Sequence, residues 1–203
     1  MDAGTKFTMK LTNGQTLEYR IIGINHDDLA DGSGKAGLTF LTTSTGISSR
    51  MNAMSTNAGG WEKSELRQKM NSGEIWNLMP SDFKAKVKAV KKLTNNVGGT
   101  DKGAVATATS DKLFLLSYSE IVPTILGVQL FLDSSEGTQY EAFKGKVVNN
   151  SGSKLDLFTG AYWWERSVSP ADSVNFLSID IDGNLSHPGS ASNSRNVFPA
   201  FCF

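Results

Sequence analysis

The sequence predicts an α+β fold of small antiparallel sheets, two helices and long connecting loops. Three observations predict it. Twenty glycines, with many Ser, Thr and Asn, mark a loop-rich chain and not a helical bundle. Segments with strand-type alternation are punctuated by Asn13-Gly14 and Asp182-Gly183, both tight hairpin signals. One stretch, 61–93, instead carries apolar residues at helical spacing. No internal repeat or linker divides the chain, so 1–203 reads as a single domain. It holds an N-terminal hairpin over 5–25, helices within 61–93 and a C-terminal display region over 162–203.

In chain order, Phe7 to Leu11 alternates, turns at Asn13-Gly14 and continues as Thr16 to Asn25. His26-Asp27-Asp28 then enters a glycine-bearing loop and reads as a solvated turn with an ion pair. Gly37 to Thr43 is a strand, and Ser44 to Gly60 is irregular. Trp61 to Met70 forms the first helix, with Leu66 and Met70 on one face. Ile75 to Met79 makes a short apolar turn. Ser81 is the expected N-cap of the second helix, where Phe83, Val87 and Val90 fall at i, i+4 and i+7. Lys84, Lys86, Lys88, Lys91 and Lys92 then form its solvated faces. Thr94 to Ser110 is a mobile loop and Lys112 to Ser117 a buried strand. Val122 to Leu132 is apolar but broken by Pro123 and Gly127, Ser134 to Gly137 turns, and Asn149 to Ser153 is another loop. The C-terminal stretch begins Tyr162-Trp163-Trp164-Glu165-Arg166 and closes Val197-Phe198-Pro199-Ala200-Phe201-Cys202-Phe203. Its ends read as two core strands, and its Ser/Asn/Asp-rich middle as a displayed surface.

Composition excludes several function classes. Twenty basic and 20 acidic side chains give a formal net charge of zero, so binding driven by phosphate neutralisation has no support. No apolar run approaches the roughly 20 residues of a membrane helix, and Met1 to Lys10 lacks the apolar segment of a secretory signal. One cysteine, Cys202, sits between phenylalanines and reads as a small buried residue. With only His26 and His187 beside it, no structural zinc site is expected. No cofactor or metal is implied.

Asp180-Ile181-Asp182-Gly183-Asn184 resembles the start of a calcium loop, but Leu185 stands where that loop needs glycine and no glutamate follows. A hairpin is the reading preferred. Glu120 and Arg166 are charged residues in apolar surroundings, and a buried arginine needs a carboxylate. They are expected to form an ion pair joining two core strands. Trp61, Trp76 and Trp163 read as core, while Trp164, in the opposite strand phase, is a candidate for the surface.

Several blocks resemble an uncharacterised domain of surface and prophage proteins from anaerobic gut bacteria. They are Gly59-Gly60-Trp61-x-x-Ser64-x-x-Arg67, Leu78-Met79-Pro80, Lys112 to Ser117 with Glu120, Glu136-Gly137-Thr138-Gln139-Tyr140, and Trp163-Trp164-x-Arg166-Ser167 with Pro199-Ala200-Phe201. The match runs from about Tyr19 onward. The resemblance implies a C-type lectin-like fold whose C-terminal segment is similar to the variable region of retroelement-diversified proteins. Two departures stand out. Asn196 replaces a common glycine, and Phe198 occupies a position that is often polar. The calcium-sugar tripeptides and the paired catalytic cysteines of the related formylglycine-generating enzymes are absent.

The expected function is therefore a non-catalytic ligand- or receptor-binding protein of a phage tail or bacterial surface, directed at a cell-surface protein or glycan. Homo-oligomers are compatible with that reading. The expected ligand-binding residues are Trp164, Glu165, Ser169, Asp172, Asn175, Ser178, Asp180, Asp182, Asn184, His187, Asn193, Asn196 and Phe198. The alternatives are a hydrolase using Glu120 or His26 in a pocket, or a structural module of virion assembly.

Overall fold

A computed structural model of the chain describes residues 5–44, 46–99, 101, 104–123, 135–147, 160–185 and 187–203. Most of the apolar stretch 122–132 and the whole of the expected loop 149–153 fall outside these residues, as does Ser134. The first sheet comprises β1 (Lys6–Lys10), β2 (Thr16–Ile24), β3 (Leu38–Thr42), β7 (Leu113–Phe114) and β12 (Ala200–Cys202), in the order β1-β2-β3-β12-β7. The second comprises β4 (Ser48–Ser49), β8 (Trp163–Val168), β9 (Asn175–Ile179), β10 (His187–Ser190) and β11 (Arg195–Asn196), in the order β10-β9-β8-β11-β4. A two-stranded ribbon pairs β5 (Val90–Thr94) with β6 (Thr107–Asp111). All pairings are antiparallel except β8 with β11. Five short helices complete the α+β fold: α1 (Gly60–Lys63), α2 (Glu65–Asn71), α3 (Glu74–Leu78), α4 (Ser81–Lys86) and α5 (Tyr118–Ile121).

The expected N-terminal hairpin is present, with Lys10 opposite Thr16 across the turn. Gly14, at φ 88°, supplies the left-handed conformation which that turn needs. The two C-terminal core strands also form, but in different sheets. β8 is buried along its whole length, and β12 is inserted between β3 and β7. Phe40, Phe83, Phe201 and Phe203 pack ring to ring around β12, with centroids 4.8–5.7 Å apart. Such aromatic pairs add about 0.5–1.5 kcal/mol beyond the area they bury.

The helical region differs from expectation in three respects. The first helix is broken at Ser64, whose extended backbone ends α1 and whose Oγ accepts the Arg67 N–H to cap α2. The cap of α4 is Pro80, not Ser81. The helix then stops at Lys86, because Val87 is extended and Val90 opens a strand. In β5 the alternation Val90, Lys92, Thr94 points inward. Three apolar residues at helical spacing thus straddle a helix and a strand, and Lys92 is buried instead of solvated. The stretch 94–110, expected as a mobile loop, begins on the last residue of β5 and ends within β6. Trp61 and Trp163 are core residues as expected, whereas Trp76 is half-buried with Lys84 and Lys112 over its ring.

Candidate functional site

The C-terminal segment divides between core and surface. Its hairpin is real: β9 and β10 pair from His187 opposite Ser178 to Ser190 opposite Asn175. Asp180 builds the connection, its carboxylate accepting the N–H groups of Asp182 and Asn184 and the Asn184 amide. Asp172 does the same at the preceding turn, accepting from Val174 N, Asn175 N and Asn175 Nδ2. Burial opposes the ionised form of both aspartates, but these donors outweigh it and hold both below the ordinary carboxylate range. Asn57 anchors the base of this region. Its Nδ2 donates to the carbonyls of Asp172 and Asn175 at 2.9 Å, and its Oδ1 accepts Gly99 N–H at 2.8 Å. Gly98, at φ 74°, passes so close that a Cβ there would lie 2.1 Å from Asn57 O.

Of the thirteen residues expected to contact a ligand, Trp164, Glu165, Ser169, Ser178 and Phe198 are instead buried. Trp164 and Glu165 are covered because sheet neighbours and flanking elements close over both faces of β8. Trp164 donates its indole N–H to Ser49 O. Phe198 packs edge-on against Trp163 at 5.5 Å. Ser169 bonds Asp172, and Ser178 is held between His187 O and Arg195. Asp172, Asn175, Asp180, His187 and Asn196 are half-buried, while Asp182, Asn184 and Asn193 are exposed. The exposed polar residues therefore sit on turns; β9 before them belongs to the core, whereas β10 and β11 are largely half-buried or exposed.

Sequence reasoning missed Tyr162 and Arg195. The Arg195 guanidinium lies 4.6 Å from the Tyr162 ring centre and 4.9 Å from that of Trp164. It crosses flat over Gly189, where a Cβ would come within 2.6 Å of it. The His187 ring stands 5.1 Å from Tyr162. The available signal was the Tyr-Trp-Trp run, but which strand would bring an arginine over it depends on the pairing of β11 with β8.

A second region is a cleft of about 300 Å³, lined among others by His26, Lys92, Glu120, Glu136 and Thr138. Its floor is a buried ionic network. Arg166 Nη1 donates to Glu120 Oε2 at 2.5 Å, which is the ion pair expected from sequence, although Glu120 sits on α5 and not on a strand. Glu120 also pairs with Lys92, which donates to Asp27 Oδ1 at 2.6 Å and to Tyr140 OH at 2.9 Å. Asp27 is thus a core residue and not part of a solvated turn; the surface ion pair there is Asp28 with Lys35 at 3.0 Å. Burial would raise Asp27, but the charge and hydrogen bond of Lys92 and the Thr39 hydroxyl outweigh it and bring it to about 2. Burial likewise opposes ionisation of Glu120, and Arg166 with Lys92 overcomes it. Glu136 is raised by burial despite the Ser167 hydroxyl bonded to it. At the rim, His26 Nδ1 is 3.2 Å from Glu141 Oε1, and Nε2 is 3.2 Å from both O and Oγ1 of Thr138.

Glu165 is the outlier. It is fully buried, and neither carboxyl oxygen has a hydrogen-bond partner among the described residues. Burial, then the neighbouring Glu136, pushes it well above the ordinary range. The Tyr118 hydroxyl, also without a partner, is raised by burial and then by Glu165. Among the described residues no group of His, Cys, Asp and Glu is arranged to hold a metal ion, and no helix is long and apolar enough to cross a membrane.

Comparison with curated proteins and with solved structures gives no significant match. A family profile matches residues 36–203, a span that contains both regions except for the His26–Lys35 side of the cleft. The chain belongs to the family described as domain of unknown function DUF6273.

Proposed function

We propose that the chain is a non-catalytic binding protein that uses the turns and sheet face of its C-terminal segment as a recognition surface, on a C-type lectin-like scaffold. Small antiparallel sheets, short helices and a C-terminal strand inserted within the first sheet are compatible with that scaffold. One observation carries the reading. Exposed Asp182 and Asn184 lie at the turn that leaves the buried strand β9, exposed Asn193 lies at the turn between the half-exposed β10 and β11, and the Asp172 and Asp180 turns are pinned by hydrogen bonds. A surface ordered before contact loses less entropy on binding, which favours affinity. Its side chains can also be exchanged without disturbing the core. The setting proposed is a phage tail or bacterial surface, and the partner a cell-surface protein or glycan.

The test is a screen of immobilised cell-surface proteins and glycans with the intact chain and with an Asp182→Ala, Asn193→Ala, His187→Ala variant. The variant is expected to melt within a few degrees of the parent, as surface changes do, and to lose the ligand. A variant that unfolds, or that keeps every ligand, refutes the proposal.

A second reading, a hydrolase, is favoured by the alignment of Thr138, His26 and Glu141 at the cleft rim. That spacing fits a hydroxyl, a base and an orienting carboxylate. Glu120 lies in the same cleft but is held ionised with each oxygen on a cation, so it has no proton to donate and its oxygens are engaged. Ester or amide hydrolysis abolished by His26→Gln, with folding intact, would establish this reading against the first.

A further inference from the structure

Among the described residues, Arg195 is a cation without a counter-ion. Arg166 and Arg67 each meet a carboxylate, at 2.5 and 2.6 Å. Among the described residues, Arg195 makes one hydrogen bond, from Nη1 to Ser178 Oγ at 2.7 Å, and no carboxylate pairs with it. Asp180 is occupied by its own turn. An arginine has five N–H donors in a planar fork, and most of those on Arg195 are unused. The fork is nevertheless fixed in place, by the Tyr162 and Trp164 rings and by the bare backbone of Gly189. Holding a guanidinium still removes most of the entropy that a bidentate contact would otherwise cost.

The surroundings point to the kind of partner. Tyr162 is 37% exposed. Next to Gly189, the hydroxyls of Ser55, Ser190 and Ser192 bond one another at 2.7–3.1 Å, and Asn193 is exposed at the turn that follows. A Tyr and an Arg flanked by Ser, Asn and Gly is the composition of surfaces that recognise proteins. There, rigid aromatic and guanidinium anchors supply the energy, and short polar side chains adapt.

Resting on the binding reading above, we infer that Arg195 is a carboxylate seat, and that the C-terminal face takes a partner protein presenting an exposed Asp or Glu side chain to it. Tyr162 and His187 flank the incoming carboxylate, and the serine cluster meets the partner's backbone.

The intact chain, isotopically labelled, is titrated with N-acetylglutamate amide as the probe and N-acetylglutamine amide as its neutral twin, with NMR as the readout. The expected result is a saturable shift of the Arg195 Nε–H and of amides near Tyr162 and His187, about tenfold or more weaker with the glutamine twin and weakened by added salt. Arg195→Gln abolishes the response. Gly189→Ala, which keeps the arginine but displaces it, weakens the response, and unchanged core resonances show that both variants fold. Equal shifts with both probes, or a response that survives Arg195→Gln, overturn the seat. A glucuronate probe binding about tenfold tighter than the glutamate one would assign the seat to an acidic saccharide and overturn the protein partner. A screened ligand lost in the three-site variant but indifferent to Arg195→Gln would leave the recognition surface standing and remove only the carboxylate seat.

Discussion

Replacing Glu165 by glutamine is expected to stabilise the protein at neutral pH and to do nothing at pH 4. The side chain is fully buried, both oxygens lack partners among the described residues, and burial with Glu136 raises its pKa well above the ordinary range. In the unfolded chain the same carboxyl titrates near about 4.3. Below that pH both states carry the proton, and the group does not affect folding. Above it the unfolded state releases its proton while the folded state keeps it, so each further pH unit costs about 1.4 kcal/mol of stability. The loss continues until the folded carboxyl itself ionises. Glutamine has nearly the same shape and no titration, so it removes this pH-linked loss and leaves an uncharged polar group in the same place. A gain of up to about 4 kcal/mol at pH 7 is expected, from the roughly 2.7 pH units above the unfolded value, against a typical total of about 5–15. Urea unfolding of parent and E165Q at half-unit steps from pH 4 to 8 measures it. Curves that stay parallel, or an E165Q protein less stable at pH 7, would show that Glu165 is ionised and paired in the folded state and refute the argument.

Arg166→Met should cost about 3–5 kcal/mol, because it strands the buried Glu120 carboxylate and the carbonyls of Leu115, Leu93 and Glu136 that the guanidinium satisfies. Adding Glu120→Gln should recover part of that loss, and thermal melts of the four members of the cycle measure the coupling; strict additivity would deny the ion pair. Asp27, at about 2 in the folded state, contributes stability that is complete above about pH 4 and is lost as pH falls toward 2. Acid unfolding of Asp27→Asn should therefore lack a component of about 2–3 kcal/mol that the parent shows. Burial pushes the Cys202 thiol up, so a thiol reagent should label it only at the rate of unfolding, and prompt labelling of folded protein would contradict its place in β12.

Much of the frame was legible because it is local. Asn13-Gly14 and Asp182-Gly183 specify their hairpins through backbone conformations that few residues adopt, and an arginine in an apolar strand requires a carboxylate wherever the chain goes. Glu120 could be named as that carboxylate, though its helix could not. The stripe Phe83, Val87, Val90 misled, because spacing alone does not reveal a chain that leaves a helix midway. The same error placed Lys92 in water.

The sequence by itself determined where the chain turns, that it mixes strands with short helices, and that Glu120 and Arg166 belong together, because these follow from each residue's own backbone and charge. Tertiary structure alone decided which polar residues of the last forty are surface and which are core. That depends on what covers each face of a strand. Only what packs on the two faces of β8 buried Trp164 and Glu165, and only the pairing of β8 with β11 laid Arg195 across Tyr162.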